Sequence, residues 1–378
     1  MAGYIFNLDN KQSLKDSIAN GVYSTILKST PKNNLWNTAH EGTFADYLTM
    51  KEGDNVYFFI KRKIYGIGEL INIKDDCKFL NFPEADIPKS FDYNSIKDLM
   101  IMNETSDNIK NRMICTFKGS PYFFQNGVDM DEVLSSNPDK FKMLRAFWKR
   151  SFIKIDDEEN KALIDVILKN NEKNLEDSES LFEENVLTHQ KIRHIITEEY
   201  KASSENVLQA AAGKNDEIKH EMAIEAALLD YLANKEVIIF GNWDYISHQV
   251  IASPFKPIEY MDKMDIFGYR YIPGFKTISK YLIIEIKKGN AIPEDINQVM
   301  KYVDWVNQEY SFGDYDMIEA FLVAYDFPNE VIDTKSKVAK RNFIKSRRPV
   351  NSKEWQNLRL IKYSYNKNKG KLDFVEIE

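Results

Sequence analysis

Between Tyr281 and Lys288 the chain reads YLIIEIKK. An opening this apolar predicts a central strand, yet the strand ends on Glu285 and Lys287, two positions apart. Successive side chains of a strand point to opposite faces, so these two share one. Burying a carboxylate and an ammonium at the end of a core strand is costly unless they bind each other, a metal or a substrate. Taken alone, the pair is better read as the point where a strand meets solvent.

The pair does not stand alone. Twenty residues upstream of Glu285, MDIFGY places Asp265 at the start of another predicted strand, a separation that lets a hairpin set the two carboxylates together beside the lysine. Carboxylate oxygens are the ligands Mg²⁺ prefers, and an ion so held polarises a phosphate and lowers the pKa of a bound water. A neighbouring lysine can orient or deprotonate that water. In EIKHEMAIEAALLDYL, residues 217–232, Ile218, Met222, Leu229 and Leu232 form one helical stripe with Glu225 near its centre and Glu221 to one side. Glu225 is the first choice for a further acid reaching the site, and Glu221 is the alternative. Gln298 and Tyr302, four apart on a predicted helix, share a face and can hydrogen-bond a phosphate or the lysine without adding charge.

These residues need a sheet to position them. After residue 214 the predicted order is a helix over 217–234, strands near EVIIF and DYISHQVI, strands over 262–271 and 281–287, a helix over 293–309 and the strand IEAFLVAY. Helices before and between buried strands predict an α/β fold, a mixed sheet covered on both faces. Residues 1–155 alternate short aromatic-rich strands with turns, most clearly NVYFFI, a KRK turn and IYGIGELINI, opened by Gly53-Asp54. Such strands must close or pack to hide their edges, which predicts a small mixed β-barrel. Residues 156–214 read as an acidic helical connector ended by AAAGKND, leaving 215–378 as the C-terminal domain.

The bulk composition agrees with two domains, because 378 residues exceed one ordinary core. Only Cys77 and Cys115 are present, and the five histidines show no ligand spacing, so a disulfide framework and a four-cysteine zinc site are excluded. Any catalytic metal is then held by oxygen. No apolar run approaches a bilayer span and the N-terminus lacks a signal-peptide layout, so a soluble, cytoplasmic protein without membrane contact is expected. The net charge of -7 hides a division: Lys335–Lys371 holds 13 Lys and Arg against one acid, Glu354. A basic strip beside an acidic body is the footprint of a protein that tracks phosphates with one face, with Lys340, Arg341, Lys345, Arg347 and Arg348 as candidate contacts. The plainer alternative is a solvated helix and loop.

The succession of a helix glutamate, M-D-I-F-G, I-I-E-I-K and Q-V-M-K-Y resembles the PD-(D/E)xK nuclease superfamily, in its Q-x-x-x-Y branch, over roughly residues 217–325. The resemblance implies a restriction-endonuclease-like fold. It makes Asp265 and Glu285 metal ligands, with the Ile286 carbonyl as a further ligand, and has Lys287 act on the nucleophilic water. It also gives Glu225 an assisting role in metal binding and lets Gln298 and Tyr302 line the site. Met264 stands where the name-giving proline would be, and Asp262 is the alternative to Asp265. The implied cofactor is Mg²⁺, with Mn²⁺ able to substitute.

The stretch GTFADYLTMKEGDNVYFFIKRKIYGIGEL resembles EVE and related PUA-like domains, which bind nucleic acid and in some members seat a flipped, modified base among aromatic rings. Candidate rings are Trp36, Tyr47, Tyr57, Phe58, Phe59, Tyr65 and Trp148. Stacking on such a ring is worth ~1–3 kcal/mol per base. Most of these rings are expected in the core, and Trp36, in a polar loop after Pro31, is the least core-like.

The resulting expectation is an endonuclease acting on double-stranded DNA, of restriction or phage-defence type and modification-dependent, working as a homodimer because two strands need two sites. The alternatives are a structure-specific repair nuclease and a non-catalytic nucleic-acid binding protein that keeps a nuclease fold.

Overall fold

The hairpin expected from NVYFFI forms around a shorter turn than KRK. Lys61 and Arg62 both take positive φ, 46° and 71°. Two such residues make a connection whose twist matches that of the flanking strands, and Lys63 is free to open the second strand. The computed structural model that contains this hairpin describes residues 1–27, 34–146, 151–185, 187–253 and 261–377. They fall into two units, Met1–Ser203 and Ser204–Glu378.

In chain order the first unit contains β1 (Gly3–Asn7), α1 (Lys11–Asn20), β2 (Val22–Ile26), α2 (Thr38–Leu48), β3 (Asn55–Ile60), β4 (Lys63–Leu70) and β5 (Lys78–Leu80). It continues with α3 (Tyr93–Ile96), β6 (Asn111–Gly119), β7 (Val128–Asp129), α4 (Met130–Ser136), β8 (Phe152–Ile155), α5 (Asp157–Asn170) and α6 (Leu187–Ile195). The strands run in the order β2-β6-β4-β3-β1-β8, with β5 on β6 and β7 on β4. β1 and β3 are parallel, whereas β1 and β8 are antiparallel, so the sheet is mixed. No ladder joins β2 to β8 among the described residues, which leaves an open half-barrel. Aromatic rings fill its inside: Phe6 stacks on Tyr23 at 4.0 Å between centroids, with Phe152 edge-on at 5.4 Å.

Part of the stretch read as a connector packs within this first unit. α5 buries Leu163, Val166 and Ile167, and Ile192 of α6 joins a core cluster with Val22 and Ile114.

The second unit contains α7 (Glu205–Ala211), α8 (Glu221–Ala233), β9 (Tyr245–Ile251), β10 (Lys263–Tyr271), β11 (Ile278–Ile286), α9 (Pro293–Glu309) and β12 (Ile318–Ala324). α10 (Asn329–Val338), β13 (Arg341–Arg347), β14 (Val350–Trp355), β15 (Leu358–Asn366) and β16 (Lys371–Ile377) follow. Six strands form a mixed sheet in the order β16-β15-β12-β11-β10-β9, and β13 with β14 forms a separate ribbon. β11, β12 and β15 are parallel neighbours, which explains the unbroken apolar runs of β11 and β12 at the sheet's centre. α8 packs on β9, β10 and β11, and α9 on β11 and β12. The chain is thus an α/β protein.

EVIIF is not a strand. Lys235 takes a left-handed φ of 59° at the end of α8, Ile238–Phe240 makes one 3₁₀ turn, and Gly241 at φ 77° redirects the chain. Of that run Phe240 is buried and Ile238 is exposed, so a short apolar string served as a capping turn rather than as sheet. The basic stretch forms strands as well as the last turns of α10. Among the described residues no helix is long and apolar enough to cross a membrane.

Candidate active site

The antiparallel ladder of β10 and β11 sets Ile266 opposite Ile284, so one further step brings Asp265 level with Glu285. Asp265 Oδ2 accepts the backbone N–H of Ile286 at 2.7 Å. Beyond the end of β11, Lys287 N–H still donates to the Val323 carbonyl at 2.8 Å, which fixes where its side chain departs. That side chain folds back: Nζ donates to Glu285 Oε1 at 2.7 Å and to Gln298 Oε1 at 3.3 Å, and lies 3.7 Å from Asp295. Gln298 Nε2 in turn donates to the Tyr302 hydroxyl at 2.9 Å. A carboxylate, an ammonium, an amide and a phenol are thereby linked from β11 to α9.

Glu225 enters from α8 and is 3% exposed. The stripe argued from sequence is only part of the buried surface of α8. Ile218 precedes the helix and Met222 is half-exposed, whereas every residue from Ala223 to Leu232 is buried. Ala223, Ala226 and Ala227 are small enough to let α8 lie close to the sheet. Gln249 Nε2, from β9, donates to both Glu225 oxygens at 3.2 Å and to Asp265 Oδ1 at 3.3 Å. His248 Nδ1 is 3.7 Å from Glu225 Oε2. Glu221 sits one turn earlier and accepts Lys288 N–H at 3.3 Å, while Asp262, just before β10, is tied through its backbone to Ser253 and Ala252. Glu225 and Asp265 share Gln249 as a donor, and the Asp262 charge also acts on Tyr302.

Burial dominates the electrostatics. It pushes the Asp265 carboxyl well above its ordinary range, and the Glu225 and Glu285 charges add to the rise. Glu285 is pushed up to about 7 by burial, against the pull of Lys287. Among the described residues Glu285 Oε2 is buried with no conventional hydrogen-bond partner, and the Glu285 and Asp265 carboxyls can bond to each other only when the pair shares a proton. Burial works to lower Lys287, but the Glu285 carboxylate beside it more than reverses this and holds the ammonium form. Tyr302 is raised by burial and by the Glu285 charge, so its hydroxyl keeps its proton.

The donors suit a hard divalent cation in kind, being oxygen and partly unsatisfied. Among the described residues no three His, Cys, Asp or Glu side chains are grouped so that they could hold a metal ion as they stand. The Gln249 amide and the Lys287 ammonium instead hold the acids as they stand. Sequence reading missed Gln249 and Asp295. An uncharged amide in an alternating strand carries no signal, and Asp295 reads as a helix cap, which it also is, accepting Ile292 N–H at 2.8 Å.

The candidate nucleic-acid contacts divide. Arg341 is forked onto Asp304 at 2.8 Å through Nε and Nη2, and Lys345 reaches Asp314 at 2.8 Å and Asp316 at 3.0 Å. Arg359, Lys362 and Lys371 pair with Glu376, Asp326 and Glu236. Much of the strip's charge is therefore compensated locally. Lys340, Arg347 and Arg348 are exposed and form no ion pair among the described residues, the two arginines lying at the tip of the β13–β14 ribbon.

Trp36 is corrected from a stacking ring to a core residue. It is 1% exposed, donates its indole N–H to the Asp86 carbonyl at 2.7 Å, packs on Phe44 and carries the Arg112 guanidinium over its ring. The polar residues around it in sequence cap α2 instead of exposing it, Asn37 Oδ1 accepting His40 N–H at 2.9 Å. Tyr47, Tyr57, Phe58 and Tyr65 are also buried, and Phe59 is half-buried. Trp148 and Pro31 lie outside the described residues. The first unit has a cavity of about 860 Å³ of mixed lining, polar at Asp9, Asp16 and Glu104 and apolar at Val22, Ile101 and Met102.

No family model matches the chain, and no curated protein matches it. Among solved structures it is similar to a repair endonuclease from Pyrococcus abyssi, at 23% identity and a TM-score of 0.21 over 34% of this chain. That match spans 46% of the endonuclease, less than half of its length. It is also similar to a hypothetical protein from Leishmania major, at 14% identity and a TM-score of 0.28, over 46% of this chain and 96% of that one. A protein from Pseudomonas putida matches at 13% identity and a TM-score of 0.26, over 43% of this chain and 97% of its own.

Proposed function

We propose that the chain is a Mg²⁺-dependent DNA endonuclease of the PD-(D/E)xK type, of restriction or phage-defence kind, that hydrolyses phosphodiester bonds. The observation that carries this reading is the convergence of Asp265, Glu285 and Glu225 with Lys287 at the end of a central strand. Asp265 and Glu285, assisted by Glu225 and the Ile286 carbonyl, are the groups that would hold the ion. Mg²⁺, or Mn²⁺ in its place, supplies Lewis acidity toward a phosphate oxygen and a lowered pKa for a water when bound. Lys287 would orient or deprotonate the attacking water; paired with the Glu285 carboxylate as it stands here, it is held as an ammonium. Gln298 fixes the Lys287 side chain, and Tyr302 fixes Gln298.

Lys340, Arg347 and Arg348 serve as the sequence-independent phosphate contacts. The first unit supplies target choice through its cavity of mixed polar and apolar lining, in place of Trp36. Cutting both strands calls for two sites, which a homodimer provides.

The test is a digest of phage and plasmid DNA of differing base modification, with Mg²⁺ present or chelated, by the wild-type chain and by Glu285→Ala. Cleavage that needs both the ion and Glu285 is the expected result. Cleavage that ignores either one removes the active-site assignment, and equal cleavage of every DNA removes dependence on modification.

A further inference from the structure

Gln249 has a backbone that a strand does not require. Its φ is 52°, in the left-handed region that non-glycine residues rarely enter and that asparagine tolerates better than most. The ladder between β9 and β10 pairs Val250 with Met264 and His248 with Ile266, leaving Gln249 and Asp265 as the residues passed over between them. At that lapse the Gln249 side chain reaches three carboxylate oxygens, two of Glu225 and one of Asp265, all within 3.3 Å of Nε2. The amide nitrogen must face them, because the amide oxygen would meet only acceptors. Backbone strain retained beside a cluster of buried acids points to a role for the residue that holds it.

An amide donating to carboxylates of two different residues does for them what a cation does: it places positive charge density between groups that otherwise repel. We propose that Gln249 is a placeholder for the divalent ion, holding Glu225 and Asp265 together in the metal-free protein and giving them up when the ion binds. The proposal rests on the metal-dependent reading of the site. Its consequence is an affinity for the ion lower than the acids alone would give, since each binding event must first break hydrogen bonds to charged acceptors.

The test titrates Mn²⁺ alone into the full chain, without DNA, and follows the loss of the free-ion electron paramagnetic resonance signal. Gln249→Asn and Gln249→Gly both accept the left-handed backbone while withdrawing the amide from the acids. Both are expected to bind Mn²⁺ about tenfold more tightly than wild type, the size of one charge-assisted hydrogen bond. Both should also melt at a lower temperature than wild type without metal, with the difference closing at saturating Mn²⁺. Unchanged affinity overturns the proposal, and weaker binding overturns it in favour of Gln249 as a ligand through its oxygen. Asp265→Asn and Glu285→Gln separate this failure from failure of the parent reading. If wild type binds no Mn²⁺, or binding survives both substitutions, the metal site is misassigned and the placeholder falls with it. If those substitutions abolish binding and the Gln249 variants bind like wild type, the placeholder alone is wrong.

Discussion

Asp265 and Ile286 are joined across two strands by a 2.7 Å hydrogen bond from the Ile286 backbone N–H to Asp265 Oδ2. One carboxylate oxygen is thereby committed to the sheet and the other, Oδ1, is turned toward Gln249. Asp265→Asn can keep the first bond through its amide oxygen while losing the charge. The variant is expected to fold and melt like wild type and to lose cleavage by about 10²–10³-fold, the cost of removing one electrostatic stabiliser. Activity within a few-fold of wild type, measured at saturating Mg²⁺, would shift the role to Asp262.

How much of this site the sequence discloses depends on whether a residue's role is local. β11 is legible because an apolar run that ends in Glu285 and Lys287 sets burial against charge within one strand. Glu225 lies on a helix in which every residue from Ala223 to Leu232 is buried, so the stripe of Ile218, Met222, Leu229 and Leu232 does not by itself single it out. Gln249 is illegible because its importance lies in which acids it faces. The compensation of Arg341 and Lys345 is hidden for the same reason, as Asp304, Asp314 and Asp316 stand some thirty residues away in the chain. The short string EVIIF could be strand or turn by composition, and the left-handed Lys235 decided it.

Trp36→Ala is expected to act on stability. The substitution empties a site filled on one side by Phe44 and on another by Arg112, and leaves the Asp86 carbonyl without its donor. The cost should be about 3–5 kcal/mol by chemical denaturation. A variant that melts like wild type yet binds DNA less well would return Trp36 to the role of a stacking ring.

The ribbon offers an internal control for phosphate binding. Neutralising Arg347 and Arg348 to glutamine should reduce the slope of log affinity against log salt by roughly 2, with a similar loss for every DNA sequence. Arg341→Gln should leave the slope unchanged and cost at most about 1 kcal/mol of stability, because Arg341 is engaged with Asp304 in a partly exposed pair. Equal effects of all three on the salt slope would mean that the Asp304 pair opens on binding.

In the first unit, Glu159 provides a pH test independent of the active site. Burial, with Asp156 nearby, holds its carboxyl up at about 8 against an ordinary 4.5, although the Leu144 and Met143 N–H groups donate to it. The folded state therefore holds this proton more tightly than the unfolded state. The associated stability is complete below 4.5 and is lost as pH rises through about 8. Glu159→Gln should flatten that part of the melting temperature against pH profile. An identical profile for wild type and variant would exclude Glu159 as its source.

The final prediction concerns where cutting and choosing can be separated. α7 belongs with the second unit: Val207, Leu208 and Ala211 are buried, and Ser204 donates to Asp230 of α8 from its backbone at 2.8 Å and from its hydroxyl at 2.7 Å. A fragment beginning at Lys214 would expose α8 along that contact and leave the Asp230 carboxylate without those donors. A fragment over 204–378 is expected to fold, bind Mn²⁺ and nick DNA weakly without regard to modification. The 214–378 fragment should melt lower or fail to fold. Residues 1–203 should bind a target oligonucleotide without cutting it. Selective cutting by 204–378 alone, or no nucleic-acid binding by 1–203, would show that choice of target does not reside in the first unit.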